Sequence, residues 1–455
     1  MEHDAEEIWT NVLEVAVEAI KKIDSTFNDI AAIGITNQRE TLVFWDKRNG
    51  KPLTRAIVWQ CRRTAEMCKK LKEEGYEKMV RSKTGLLLDP YFSGTKLNWA
   101  LENIHEVKEA AAQGYLACGT VDSFLLYRLT GGDVFATDYT NASRTLLYNI
   151  YDLQWDEDLL SLFKVPAEVL PEVLPSSHVY GETDPGLFFG KAIRVGGIAG
   201  DQQAALFGQA CYSQGMIKNT YGTGSFLLMN TGGKAVESEK GLLTTIAWGI
   251  EGNIEYALEG SIFITGAAVQ WLRDGLGLIS ESSELENLAR EVKDNNGIYL
   301  VPAFAGLGAP HWDPYARGLL IGITGGTTKA HLARAVVEAM AYQTRDVLEI
   351  MHKESNLPIK ELRVDGGASV MDLLLQFQAD ITETVVRRSA TFDTTALGAA
   401  YLAGLASGFW KSKAELSESW KQSAVFKPHM DAKVREELYA GWLEAVSRTL
   451  KWADR

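Results

Sequence analysis

Three short glycine-bearing segments carry residue types suited to holding phosphate. They are Tyr221-Gly222-Thr223-Gly224-Ser225, Ile264-Thr265-Gly266-Ala267-Ala268 and Val364-Asp365-Gly366-Gly367-Ala368-Ser369. Glycine lets backbone N–H groups approach an anion, more so where a helix N-terminus follows. None of the three fits the Walker A or dinucleotide-binding pattern. Each alone reads as a turn, and three in one half of the chain favour a nucleotide. Asp201 follows an apolar run and Gly200, a place from which a carboxylate takes a proton from an attacking hydroxyl or steadies a metal ion. The plain alternative is a helix N-cap. Arg39-Glu40 sets a donor fork beside an acceptor, which suits neighbouring hydroxyls of a polyol, although such a doublet is also ordinary surface charge. Trp59, Tyr91 and Phe226 offer apolar faces to a small carbon skeleton, or else belong to the core. The seven histidines are scattered without metal-ligand spacing.

The elements that must position these residues follow from pattern. Asp4 and Glu7 form a D-x-x-E start, and Ile8, Val12, Ala16, Ala19, Ile20 and Ile23 continue at helical spacing. Residues 31–36 read as a strand that delivers the loop 37–40, residues 41–45 as a second strand and 56–59 as a third. A helix is expected over 64–80, and alternating helices and polar connections over most of 96–182. Residues 193–199 read as apolar and glycine-rich, 204–209 as helical, and 226–229 as a strand with Gly232-Gly233 closing a hairpin. The strand–glycine–helix theme returns at 299–308 and at 362–367, the latter before a long helix from 371. With the boundary near 209–215, the chain divides into residues 1–208 and 209–455, two α/β domains facing a cleft.

Composition agrees and excludes alternatives. The chain has 455 residues, enough for two or more cores. Lys plus Arg number 46 against 59 Asp plus Glu, a formal charge of −13, with no basic cluster for nucleic acid or a membrane surface. The four cysteines form no CxxC pair, which points to a reduced, cytoplasmic setting without structural zinc. No apolar run approaches a bilayer span. Glycine is the one excess, 41 residues, concentrated in loops after apolar runs as if approached by a ligand.

Read together, these segments resemble the FGGY carbohydrate kinase family, and within it the kinases acting on glycerol. The matching stretches include Gly34-Ile35-Thr36-Asn37-Gln38-Arg39-Glu40-Thr41, Ile57-Val58-Trp59-Gln60-Cys61-Arg62-Arg63-Thr64 and Asp89-Pro90-Tyr91-Phe92-Ser93-Gly94-Thr95-Lys96. Further ones are Gly200-Asp201-Gln202-Gln203, Asn219-Thr220-Tyr221-Gly222-Thr223-Gly224, Gly306-Leu307-Gly308-Ala309-Pro310 and Arg363-Val364-Asp365-Gly366-Gly367. The resemblance implies two actin-like, ribonuclease-H-like ATPase domains and transfer of the ATP γ-phosphoryl group to a terminal hydroxyl of glycerol. By position, Arg39, Glu40, Tyr91, Asp201 and Gln202 would hydrogen-bond the polyol, with Trp59 and Phe226 packing its carbons and Asp201 as general base. Thr223, Gly266, Gln270 and Gly367 would contact the nucleotide, magnesium would bridge its phosphates, and the expected assembly is a homo-oligomer, dimer or tetramer. No residue is assigned as a direct metal ligand.

The sequence also departs from the family. The family opens with a strand and hairpin bearing an Asp-x-Gly-Thr-Thr phosphate loop that has no counterpart here. That implies very roughly 30–45 residues and three strands fewer, an unpaired edge on the strand 31–36, and poor turnover by the 455-residue chain. Met371 stands where an asparagine near the adenine is common. Ala192 and Leu187 replace an arginine and a histidine through which some relatives are regulated, so both regulatory inputs are expected to be missing.

Overall fold

The computed structural model describes residues 1–453. A mixed sheet of ten strands runs through the molecule. In spatial order these are Ile33–Asn37, Arg194–Gly200, Ser177–Glu182, Leu243–Ile250, Asn253–Ile262, Ser225–Gly232, Met216–Tyr221, Glu361–Gly366, Val386–Ser389 and Gln422–Phe426. Ile33–Asn37 is the terminal strand of this sheet and runs parallel to Arg194–Gly200, with Asn37 opposite Gly200. That register brings the loop carrying Arg39 and Glu40 beside the turn carrying Asp201. The two halves of the sheet meet where Ser177 lies opposite Ile250. A second sheet orders Glu2–His3, Ala56–Ile57, Leu42–Asp46 and Leu116–Thr120.

Small residues set the layer spacing. The helix Thr394–Ala406 lies across both the helix Asp201–Gly208 and the strands Ile33–Asn37 and Arg194–Gly200. A Cβ at Gly34 would overlap the Ala399 backbone, and one at Gly398 would overlap the Ala204 carbonyl. Part of the glycine excess therefore serves backbone-to-backbone packing rather than a ligand. The first half buries Trp45 against Phe124. The second half stacks Tyr342 on Trp442, centroids 5.3 Å apart. All four cysteines are buried and free.

Several expectations are corrected. The helix read over 64–80 is two helices, Ala65–Glu73 and Glu77–Thr84, because Gly75 takes φ +86° between them. The chain does not open with its first helix. Glu2–His3 pairs with Ala56–Ile57 before Asp4 caps Ala5–Lys22 through the N–H groups of Glu6 and Glu7. The hairpin is closed by Gly222-Thr223-Gly224, with Tyr221 opposite Ser225, and not by Gly232-Gly233. The helix after the third glycine segment is Asp372–Thr382, eleven residues only. The long one is Lys329–Ser355, 27 residues, whose buried face includes Glu338, Arg345 and Asp346 and so hides its period. Leu116–Thr120 is a buried strand inside the stretch read as helices and connections.

Candidate active site

Arg39 and Glu40 leave the strand Ile33–Asn37 in a loop that is buried, not a surface doublet: their side chains are 2% and 1% exposed. Glu40 takes φ +61°, a region side chains seldom occupy and one that costs about 1–3 kcal/mol. Its carbonyl accepts from the Ser93 hydroxyl at 3.3 Å, and its carboxylate accepts from Arg144 Nε at 2.7 Å. Arg39 grips Glu259 through two bonds, Nη1 to Oε2 at 2.5 Å and Nη2 to Oε1 at 3.2 Å, while Arg144 Nη2 reaches Glu259 Oε1 at 2.9 Å. Glu259 lies in Asn253–Ile262, so one carboxylate from the second half of the chain holds two arginines of the first. Burial alone would lift its carboxyl, but the Arg144 and Arg39 charges outweigh it and hold Glu259 down at about 2. Burial raises the Glu40 carboxyl despite the same two arginines.

Asp201 is the first residue of the helix Asp201–Gly208. The N-cap position belongs to Gly200, and no side-chain cap bond forms, so the capping alternative is set aside. Its carboxylate is divided. Oδ2 accepts from Gln202 Nε2 at 2.8 Å. Oδ1 lies 3.2 Å from Arg39 Nε, within ion-pair distance but out of line for a hydrogen bond, and each of these two atoms is buried without a partner. Gln202 in turn accepts, through Oε1, from the buried Lys218 ammonium. Lys218 also donates to Thr220 Oγ1 at 3.1 Å.

The aromatic residues gather at this end. Trp59 meets Tyr91 edge-on, centroids 5.3 Å apart, and the Arg144 guanidinium stands 6.0 Å from the Tyr91 ring. Burial, then the Glu40 charge, push the Tyr91 hydroxyl well up, so it stays a neutral donor. Lys96 donates to the Tyr91 and Phe92 carbonyls at 2.6 and 3.1 Å and fixes that turn. Phe226 stands opposite Thr220 in the hairpin, next to the hydroxyl that Lys218 uses.

The glycine segments meet at the hairpin turn that follows Thr220 and precedes Phe226. Gly266 N donates to the Gly222 carbonyl at 3.1 Å and Ala267 N to the Thr223 carbonyl at 3.0 Å, locking the first two segments together. Gly366 lies opposite Tyr221 in the parallel pair, which places the third beside them. A Cβ on Gly266 would come within 2.5 Å of the Gly222 carbonyl, whereas one on Gly367 would enter open space. Gln270 ends the helix Gly266–Gln270 and is exposed. Met371 is buried in the core of the second half, 6% exposed.

The structure thus brings together Arg39, Glu40, Tyr91, Asp201 and Gln202, with Trp59 against Tyr91, and separately Thr223, Gly266 and Gly367. Sequence reasoning missed Arg144, Glu259 and Lys218. A lone carboxylate between Tyr256-Ala257-Leu258 and Ile262-Phe263-Ile264 was the one available signal for Glu259; Arg144 in its loop offered none. Among the described residues no three His, Cys, Asp or Glu side chains cluster as a metal site, and no helix is long and apolar enough to cross a membrane.

Comparison with known proteins meets this geometry. Residues 1–208 match the N-terminal domain of the FGGY family of carbohydrate kinases, and residues 217–407 its C-terminal domain. The chain is 59% identical to glycerol kinase 2 of Thermotoga maritima over 455 residues, 100% of this chain and 92% of that one. It is 59% identical to the glycerol kinase of Carboxydothermus hydrogenoformans, covering 99% and 90%. Among solved structures it is similar to Plasmodium falciparum glycerol kinase with ADP, with 38% identity, a TM-score of 0.92 and coverage of 99% and 90%. A ligand-bound xylulose kinase from Lactobacillus acidophilus, at 23% identity and a TM-score of 0.86 over 98% and 89%, shares the fold. With both domain matches in place and this identity along its length, the two-domain α/β chain belongs to the FGGY family of carbohydrate kinases.

Proposed function

We propose that the protein phosphorylates glycerol at a terminal hydroxyl, using ATP and releasing sn-glycerol 3-phosphate and ADP. One observation carries the reading: Arg39 Nε and Asp201 Oδ1, a buried donor and a buried acceptor paired by charge at 3.2 Å, both lack a hydrogen-bond partner. A hydroxyl both accepts and donates one hydrogen bond, so it satisfies both atoms at once. In the transfer the hydroxyl oxygen bonds the γ-phosphorus, the bond from that phosphorus to the bridging oxygen of ADP breaks, and the hydroxyl proton passes to Asp201 Oδ1. Glu40, Tyr91 and Gln202 serve the remaining hydroxyls, and Trp59 and Phe226 cover the carbons. The 1–208 and 209–455 units bring polyol and nucleotide together, and positioning supplies most of the acceleration.

Thr223, Gly266, Gln270 and Gly367 are assigned to the nucleotide. Magnesium would enter with ATP. The ion would neutralise phosphate charge. The near relatives named as glycerol kinases support glycerol over a pentulose. A reduced cytoplasmic setting and a homo-oligomer, dimer or tetramer, go with this reading.

The test is ADP formation by the purified 455-residue chain with glycerol, D-xylulose and gluconate in parallel. Glycerol-dependent turnover that Asp201→Asn lowers by about 10²–10⁴ in kcat is the expected result. A preference for D-xylulose would overturn the substrate. Calorimetric binding of glycerol without any turnover would overturn the catalytic reading and leave a polyol-binding protein.

A further inference from the structure

Lys218 is fully buried in the strand Met216–Tyr221, between the hairpin strand Ser225–Gly232 and the parallel strand Glu361–Gly366. Among the described residues it forms no ion pair within 4.0 Å, and its ammonium spends its hydrogen bonds on Gln202 Oε1 and Thr220 Oγ1. Burying an ammonium without a paired carboxylate is costly, and an apolar side chain of similar length would fill the slot at less cost to folding. Its presence calls for a role outside stability.

We propose that Lys218 is a positioning residue for phosphoryl transfer, turning the Gln202 amide so that its N–H group engages Asp201 Oδ2 and leaves Oδ1 to the substrate hydroxyl. The proposal rests on Asp201 acting as the base. An ammonium has donors and no acceptor, so it admits one orientation of the neighbouring amide, oxygen toward Lys218 and nitrogen away. The nitrogen then meets Asp201 Oδ2 at 2.8 Å. With Oδ2 occupied, the carboxylate keeps a single open acceptor, already beside Arg39 Nε. Without Lys218 the amide is free to flip, presenting an oxygen to a carboxylate and loosening it.

Groups facing Lys218 are Asp365 from the neighbouring strand, Asp201 from the helix Asp201–Gly208, Arg39 from the first half and Glu259 from the strand Asn253–Ile262 of the same sheet. Burial, opposed by Asp365 and Asp201, lowers the Lys218 ammonium to about 8. Its positive charge is present at neutral pH.

The experiment is the pH profile of kcat for Lys218→Met and Gln202→Met, with Asp201→Asn in parallel. Both methionine variants are expected to move the acid limb to higher pH and to lower kcat about ten- to a hundredfold, with the ATP KM within about twofold. The double variant is expected to fall no further than the worse single one. A structural lysine would lower Tm and leave the limb in place. If Lys218→Met does not fold, Lys218→Gln takes its place, since it keeps a polar side chain in the slot but removes the charge and no longer fixes one orientation of the Gln202 amide; an unmoved acid limb in that variant overturns the inference. An inactive Asp201→Asn with unmoved limbs, or additive losses in the double variant, overturns the Lys218 inference only. Wild-type kcat in Asp201→Asn removes the base and, with it, this inference.

Discussion

Two neighbouring parts of the site, the one proposed for the polyol and the one proposed for the nucleotide, are fixed by opposite means. At the polyol end, long charged side chains are buried and tied to one another: Arg39 and Arg144 share Glu259, and Arg144 also takes Glu40. At the glycine end the anchoring is backbone to backbone, Gly266 to Gly222 and Ala267 to Thr223, with side chains removed. The difference follows from what each partner presents. A small neutral polyol offers only hydroxyls, so recognition needs directed donors and acceptors that are fixed in advance. A polyphosphate brings its own charge, and a concave set of amides with room around it suffices. Rigidity is therefore bought with charge pairs at one end and with absent Cβ atoms at the other.

The sharpest way to break that contrast is Glu259→Gln. It leaves two buried guanidinium groups facing a neutral amide, a change that costs about 3–5 kcal/mol when one member of a buried pair is lost. Unfolding by urea should show this loss, and the glycerol KM should rise at least tenfold while the ATP KM holds. The pH dependence checks the cause. The Glu259 carboxyl sits at about 2 in the folded protein against an ordinary 4.5, so the folded state binds fewer protons between those values. Its stabilisation is present above about pH 4.5 and is lost as pH falls toward 2. The stability gap between wild type and Glu259→Gln should accordingly be full at pH 7 and narrow at pH 3. A constant gap would mean the loss is one of packing.

How far these features were legible in the sequence divides along the same line. The glycine end could be read locally, because a turn and its backbone approach are encoded in three to five adjacent residues such as Tyr221-Gly222-Thr223-Gly224. Asp201 was legible for a similar reason, standing at a strand-to-helix turn. The charge network was not. Arg144 and Glu259 are 115 positions apart and meet only through the sheet. In isolation Arg39-Glu40 matched a solvated doublet, since nothing local announces that both are buried. Packing defeated the helix pattern too: Lys329–Ser355 buries residues all round and carries no clean polar face. The helix Thr394–Ala406 escaped for the opposite reason, its small residues giving a weak period while allowing the close approach at Gly34 and Gly398.

At the glycine end the larger effect belongs to Gly266→Ala. Its methyl would come within 2.5 Å of the Gly222 carbonyl, so two of the three segments must separate. Overpacking of this kind costs about 1–3 kcal/mol. The ATP KM should rise several-fold with the glycerol KM unchanged, the mirror image of Glu259→Gln. An equal rise in both would show that the two ends are one mechanical unit.

The smallest effect on folding is expected at Gly367, and it is the most discriminating. A Cβ there meets nothing within 4 Å, and the backbone does not require a left-handed φ, so neither crowding nor strain opposes Gly367→Ala. Thermal unfolding of the free protein should shift by less than about 0.5 kcal/mol, as for a surface substitution away from special features. If the open space is where the nucleotide lies, the same methyl should weaken ADP binding several-fold in calorimetry. Glycine would then be retained there for the ligand, and at Gly266 for the fold. Unchanged ADP affinity would remove Gly367 from the nucleotide site and leave the contrast between the ends resting on Gly222, Thr223 and Gly266.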